Sequence, residues 1–182
     1  GLTSVTVPGS VKTIGEYAFS GCTSLKTAVI KTGVESIGTR TFSDCTALEN
    51  LTLPYAGLKD NCIDSENAIS TYLFNQYVPE GTYAARRPGY SGNYGIPETL
   101  TSITITGGKI IPKNAFYGMR NLKTINIPNT ITSIGDNAFY GCTLMQNGTL
   151  PSKLQIIGNN AFNGCNSATF GALTIPNTVT LI

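Results

Sequence analysis

A chain of 182 residues, 41% of them hydrophobic, can bury a sizeable core, and twelve Lys and Arg against ten Asp and Glu leave a net charge of only +2, too weak a field to recruit nucleic acid or an anionic membrane surface. There is no histidine, which removes the commonest general base, the commonest zinc ligand and every Ser–His or Cys–His nucleophile pair. Charged residues are 12% of the chain, about half the usual share, so the polar surface has to be built from uncharged Thr, Ser and Asn.

The first element, Leu2 to Ser24, reads L-x-x-V-x-V-P-x-x-V-x-x-I-G-x-x-A-F-x-G-C-x-x. Its opening alternation predicts a short strand with Val5 and Val7 turned inward, ended by Pro8, which cannot donate to a ladder. Val11 and Ile14 supply a second inward pair. Gly15 then permits a turn, and Tyr17-Ala18-Phe19 is expected to make one helical turn that swings Phe19 into the core. A second unit starts at Leu25, with Ala28 and Ile30 as strand anchors, and a third at Leu48, with Leu51 and Leu53.

The third unit never receives its I-G-x-x-A-F half. Residues 55–96 form an irregular insertion that holds six of the nine tyrosines together with Phe74, Arg86 and Arg87. The apolar spacing from Asn67 to Tyr77 predicts a short amphipathic helix, in which Tyr72, Leu73 and Phe74 plug the gap left by the missing half-unit. The stretch Arg87 to Gly95 reads as loop. Tyr83, Arg86, Arg87, Tyr90 and Tyr94 are expected to form an exposed partner-binding patch, because Tyr and Arg give large contact area at modest entropic cost.

The unit resumes at Leu100, with Ile103 and Ile105, and repeats at Leu122, with Ile125 and Ile127, at Met145, with Leu150, and at Phe170, with Leu173 and Ile175. Phe19, Phe42, Phe116, Phe139 and Phe162 therefore recur at one fixed step, lost only between Phe42 and Phe116. Several positions depart from the pattern. Met119 stands in the cysteine slot, Ile111-Pro112 replaces Ile-Gly, Gly107-Gly108 replaces the strand-ending Pro, and Gly148 leaves an anchor empty. The whole of 1–182 reads as one array of about seven stacked coils, truncated at both ends and interrupted once.

This pattern resembles the BspA-like leucine-rich repeats of the Treponema pallidum type. The resemblance rests on Cys22-x-x-Leu25, Asn126-Ile127-Pro128 and Ile134-Gly135-Asp136-Asn137-Ala138-Phe139. It implies an α/β solenoid: a right-handed leucine-rich-repeat superhelix of about 23 residues per coil, with a parallel concave sheet of about seven strands. It also implies a bacterial cell-surface or secreted protein tied to adhesion or host contact.

Four of the five cysteines, Cys22, Cys45, Cys142 and Cys165, occupy one slot of the repeat and so lie one coil apart with parallel side chains. Disulfides need converging Cβ atoms, so these thiols are expected to be free and buried. Asp60, Asp64 and Glu66 lack the spacing and glycine of a calcium loop and read as a solvated acidic turn. No catalytic residue, cofactor or metal ligand emerges. The outward column of the main strands is instead rich in small hydrogen-bonding groups: Thr6, Thr52, Thr104, Asn126 and Thr149, with Val29 and Thr174 between and beyond them. That wall suits a broad protein or glycan contact, and the chain reads as a non-enzymatic interaction scaffold without nucleic-acid binding or membrane insertion. The alternative is a passive spacer in a larger exported protein.

Overall fold

The structure is a computed structural model that describes residues 1–57, 59–60, 68–74, 81–86, 93–146, 149–167 and 172–182; within these, the side chains of residues 70, 71, 85, 86, 93 and 94 are not described. Its main feature is a parallel sheet of five strands, β1 (Ser4–Val7), β3 (Thr27–Ile30), β5 (Asn50–Leu53), β8 (Ser102–Ile105) and β10 (Thr124–Asn126), in that order. Each strand alternates solvent-facing and buried residues, and Ala28, Ile30, Leu51, Leu53, Ile103 and Ile105 line the core. The register is strict: Thr6 lies opposite Val29, Val29 opposite Thr52, Thr52 opposite Thr104 and Thr104 opposite Asn126. β5 pairs directly with β8, so the insertion loops out without breaking this ladder.

The expected seven strands are five among the described residues. In the sixth coil the pattern continues with Gln146 N–H on the Lys123 carbonyl at 2.8 Å, after which residues 147–148 lie outside the described ones, and residues 172–176 form no strand. The step from Met145 to Phe170 is longer by two positions than the step from Leu122 to Met145, yet on the second side the last coil keeps the pattern, with the Thr180 and Leu181 N–H groups on the Gln155 carbonyl at 2.9 and 3.3 Å.

A second side of the solenoid carries two-residue strands: β2 (Thr13–Ile14) pairs with β4 (Ser36–Ile37), and β9 (Ile110–Ile111), β11 (Ser133–Ile134) and β12 (Ile156–Ile157) form a separate ladder. In the repeat units the third side has no helix among the described residues. Phe19, Phe116 and Phe139 donate N–H groups to Thr41, Ala138 and Ala161 of the next coil at 3.0, 2.7 and 2.8 Å. The expected helical turn is prevented because the residue two before each Phe is left-handed: Tyr17, Arg40, Asn114, Asn137 and Asn160 have φ of 56°, 54°, 59°, 53° and 54°. One αL residue interrupts the run of αR residues that a helix needs. The only α-helix among the described residues is α1 (Ile69–Tyr72), shorter than predicted, so the α character of the α/β solenoid is slight.

Phe42, Phe116 and Phe139 are fully buried, while Phe19 and Phe162 are partly covered. Their rings stack along the axis, with centroids 5.7 Å apart for Phe19–Phe42, 5.0 Å for Phe116–Phe139 and 5.2 Å for Phe139–Phe162. Between Phe42 and Phe116 the insertion supplies the missing layer. Tyr72, Leu73 and Phe74 are buried, the Leu73 carbonyl accepts the Phe42 N–H at 2.9 Å, and the Tyr72 carbonyl accepts that of Arg40. The Tyr72 hydroxyl donates to the Gly57 carbonyl. This is the plug that the sequence implied.

The glycine of Ile-Gly has a different reason from the one its sequence suggests. A Cβ on Gly38 would strike Glu16 N, one on Gly135 would stand 2.5 Å from Lys113 N, and one on Gly158 2.5 Å from Asp136 N, whereas Gly15 has open space around it. These glycines let one coil's main chain press on the coil before it. Gly15 belongs to the first coil, which has no preceding coil among the described residues to press on.

Candidate functional site

The solvent face of the five-stranded ladder presents Ser4, Asn50, Ser102 and Thr124 beside Thr6, Thr52, Thr104 and Asn126, all at least partly exposed. Strand propensity favours Thr here, and the pairing period sets these columns one strand spacing apart, about 4.8 Å. The Asn126 amide donates to the Thr104 hydroxyl at 3.2 Å. Thr149 is exposed and follows residues 147–148, which lie outside the described ones. It borders a hollow of about 350 Å³ formed with Asn126, Asn129, Leu150 and Pro151. No described residue lining the hollow is ionisable. The sequence missed Asn129 and Pro151; Gly148, the empty anchor that it did single out, lies outside the described residues.

The proposed tyrosine patch is corrected at its first member. Tyr83 is 3% exposed, with the Arg120 guanidinium 4.5 Å from its ring centroid, and burial pushes its phenol pKa well up. It is held there by a hairpin that the sequence read partly as loop: β6 (Thr82–Arg86) runs antiparallel to β7 (Asn93–Pro97), with Tyr83 opposite Ile96. The inward face of β7, with Ile96 fully buried, draws the ring down with it. Arg86 and Tyr94 have their backbones in this hairpin, with side chains outside the described residues, and Arg87 and Tyr90 lie outside them altogether.

The slot cysteines Cys22, Cys45, Cys142 and Cys165 are free; Cys45 and Cys142 are buried as expected, whereas Cys22 and Cys165 are only partly buried. Three of them make a contact that the sequence did not announce: the thiols of Cys45, Cys142 and Cys165 donate to the carbonyls of Phe19, Phe116 and Phe139 of the preceding coil at 3.1, 3.3 and 3.2 Å. Burial is the main cause that pushes Cys45 up to about 12, Cys165 up to about 11 and Cys142 well above the ordinary thiol value. Protonated thiols of this kind are poor nucleophiles and metal ligands. Cys62, Asp64 and Glu66 lie outside the described residues. Among the described ones, no group of three or more His, Cys, Asp or Glu side chains could hold a metal ion, and no helix is long and apolar enough to cross a membrane.

Comparison with known proteins accords with this geometry. The profile of the BspA type leucine rich repeat region matches residues 1–80 and 94–182 in six copies. Among solved structures, the chain is similar to a leucine-rich repeat protein from Eubacterium ventriosum, at 18% identity and a TM-score of 0.52 over 98% of this chain and 45% of that one. It is also similar to a leucine rich cell surface protein from Faecalibacterium prausnitzii, at 24% identity and 0.47 over 92% and 40%, and to the Leucine Rich Repeat protein of T. pallidum, at 20% and 0.44 over 96% and 59%. The chain thus spans between 40% and 59% of the length of these three, and at such identities the likeness is one of fold. No curated protein matches the chain.

Proposed function

We propose, from the premise that this chain belongs to the BspA-type leucine-rich repeat family, that it is a non-enzymatic interaction scaffold of a bacterial cell-surface or secreted protein, presenting its concave wall to a protein or glycan. The observation that carries this reading is the direct pairing of β5 with β8. An insertion that removes half a coil from the other sides leaves the concave face whole, with its Thr, Ser and Asn columns in register. A wall without fixed charge, rich in hydroxyls and amides, makes contacts of many modest hydrogen bonds over a wide area. The absence of histidine and the raised thiol pKa values support a role without catalysis, cofactor or metal, and the near-neutral charge argues against nucleic acid and membrane insertion.

The test is a binding screen of immobilised extracellular-matrix proteins and glycans against the wild-type chain and a Thr52→Asp/Thr104→Asp double variant. The expected result is saturable binding to a partner by the wild type and loss of it in the variant, with unchanged thermal stability. A partner bound equally by both would remove the wall from the interface. No binding at all would leave the spacer role in a larger exported protein as the reading to keep.

A further inference from the structure

The residue that follows each column Phe is Ser20, Ser43, Tyr117, Tyr140 and Asn163 in turn. Only the fourth and fifth coils place tyrosine there, and both side chains are partly exposed on the third side of the solenoid. The backbone gives the two the same pose. Tyr117 N–H is donated to the Asn114 carbonyl and Tyr140 N–H to the Asn137 carbonyl, each at 3.1 Å, so each tyrosine closes the same turn on the same left-handed Asn. Two rungs between the coils bracket the pair: Phe116 N–H on the Ala138 carbonyl at 2.7 Å, and Gly118 N–H on the Tyr140 carbonyl at 2.8 Å.

The phenol rings consequently lie face to face, with centroids 4.8 Å apart and planes 3° from parallel. Among the described side chains no other two tyrosines stack on each other: Tyr17 is engaged with Arg40 and Tyr83 with Arg120. The next position in both coils is a glycine, Gly118 and Gly141, so no side chain at that position covers the rings.

This geometry suits one reaction. A phenol that loses an electron and its hydroxyl proton becomes a phenoxyl radical, whose unpaired electron is shared between the oxygen and the ring carbons ortho and para to it. The para carbon already carries Cβ, which leaves the ortho carbons free to bond. Two such radicals couple through lobes perpendicular to the rings, and the ring face is what Tyr117 and Tyr140 turn to each other. Holding both partners in place makes the coupling intramolecular. Competing targets for an oxidant are withdrawn: the chain has no tryptophan, Met119 and Met145 are buried, and so are Cys45 and Cys142.

We propose that Tyr117 and Tyr140 form a site of oxidative cross-linking, joined as dityrosine by a haem peroxidase using hydrogen peroxide. Each phenol gives up one electron and one proton, and a C–C bond forms between two ortho carbons. The proton on each of those carbons then moves through solvent to the ring oxygen, which restores both aromatic rings and both hydroxyls. The two electrons and two protons released reduce one hydrogen peroxide to two waters. The product staples the fourth coil to the fifth on the side where the insertion has interrupted the repeat, restricting the unfolded chain as a disulfide does. It is separate from the concave wall and does not depend on what that wall binds.

The test is treatment of the whole chain with a haem peroxidase and stoichiometric hydrogen peroxide, read by dityrosine fluorescence and by peptide mapping of the monomeric product. The expected result is a Tyr117 to Tyr140 link, lighter by two hydrogen atoms than the unlinked peptides, in a monomer whose urea midpoint is raised. Tyr117→Phe and Tyr140→Phe keep the stacked ring and should each abolish the link, with thermal stability checked first, while Tyr17→Phe should leave it unchanged. A proteolytic digest oxidised in the same way should give roughly tenfold less of it or lower still, because the rings are no longer held together. Dityrosine found only between chains or preferentially at other tyrosines, an undiminished yield in Tyr140→Phe, or an equal yield in the digest would each overturn the proposal.

Discussion

Phe139 lies fully buried between the rings of Phe116 and Phe162, so truncation there removes both apolar area and two stacking contacts. Phe139→Ala should cost about 3–5 kcal/mol in urea unfolding, whereas Thr104→Ala on the wall should cost well under ~1 kcal/mol. The thiol column adds a pH dependence. Burial raises the folded pKa of Cys45 from 9.0 to about 12 and that of Cys165 from 9.0 to about 11. Between those values the native state keeps protons that the unfolded chain has released, so stability is full below about pH 9 and falls as pH climbs toward 11 and 12. Urea midpoints measured at pH 8 and pH 11 should show this fall, and Cys45→Ala should show a smaller one.

At the level of the element, the Ile-Gly corner tells how coils touch. Gly135→Ala would set a Cβ against Lys113 N and should cost about 1–3 kcal/mol as overpacking. Gly15→Ala meets nothing within 4 Å and should be neutral or mildly stabilising. Equilibrium unfolding of the two variants side by side is the measurement. Equal costs would mean that the glycine serves the turn itself, as the sequence suggests, and not the approach between coils. The left-handed residue before Ala-Phe adds a second device: Asn and Asp tolerate αL better than most residues, which fits Asn114, Asn137 and Asn160. Asn137→Ala should therefore cost about 1 kcal/mol, from αL strain, while Asn137→Gly costs less.

Across the whole molecule, stability should follow the ladders. The concave sheet runs unbroken through five strands, while among the described residues the second side carries the two ladders β2–β4 and β9–β11–β12. Solenoid stability is approximately a sum of coil and neighbour terms, so hydrogen exchange should show continuous protection through β3, β5 and β8 but two separate protected groups on the second side, divided at the insertion. A single uniform protection level on both sides would contradict that division. The exposed ion pairs Lys12–Glu35, Lys26–Glu49 and Lys113–Asp136, each linking neighbouring coils, contribute little individually.

Periodic features were legible in the sequence because every coil repeats the same demand: an alternating strand, a terminating Pro and a buried Phe one coil from the next. The constant step, the inward anchors, the plug of Tyr72, Leu73 and Phe74 and the free thiols all follow from that repetition or from its interruption. What a side chain meets in the neighbouring coil is a matter of three-dimensional approach, and only the tertiary structure decided it. The thiol donating to a Phe carbonyl, the αL residue that forbids a helical turn and the glycine pressed on the preceding main chain all belong to the fit of one coil against the next. Tyr83 was misread because composition reports that an aromatic can serve a surface, whereas the pairing of its hairpin determines which face it lies on. The direct pairing of β5 with β8 across the insertion is a long-range closure that no local pattern encodes.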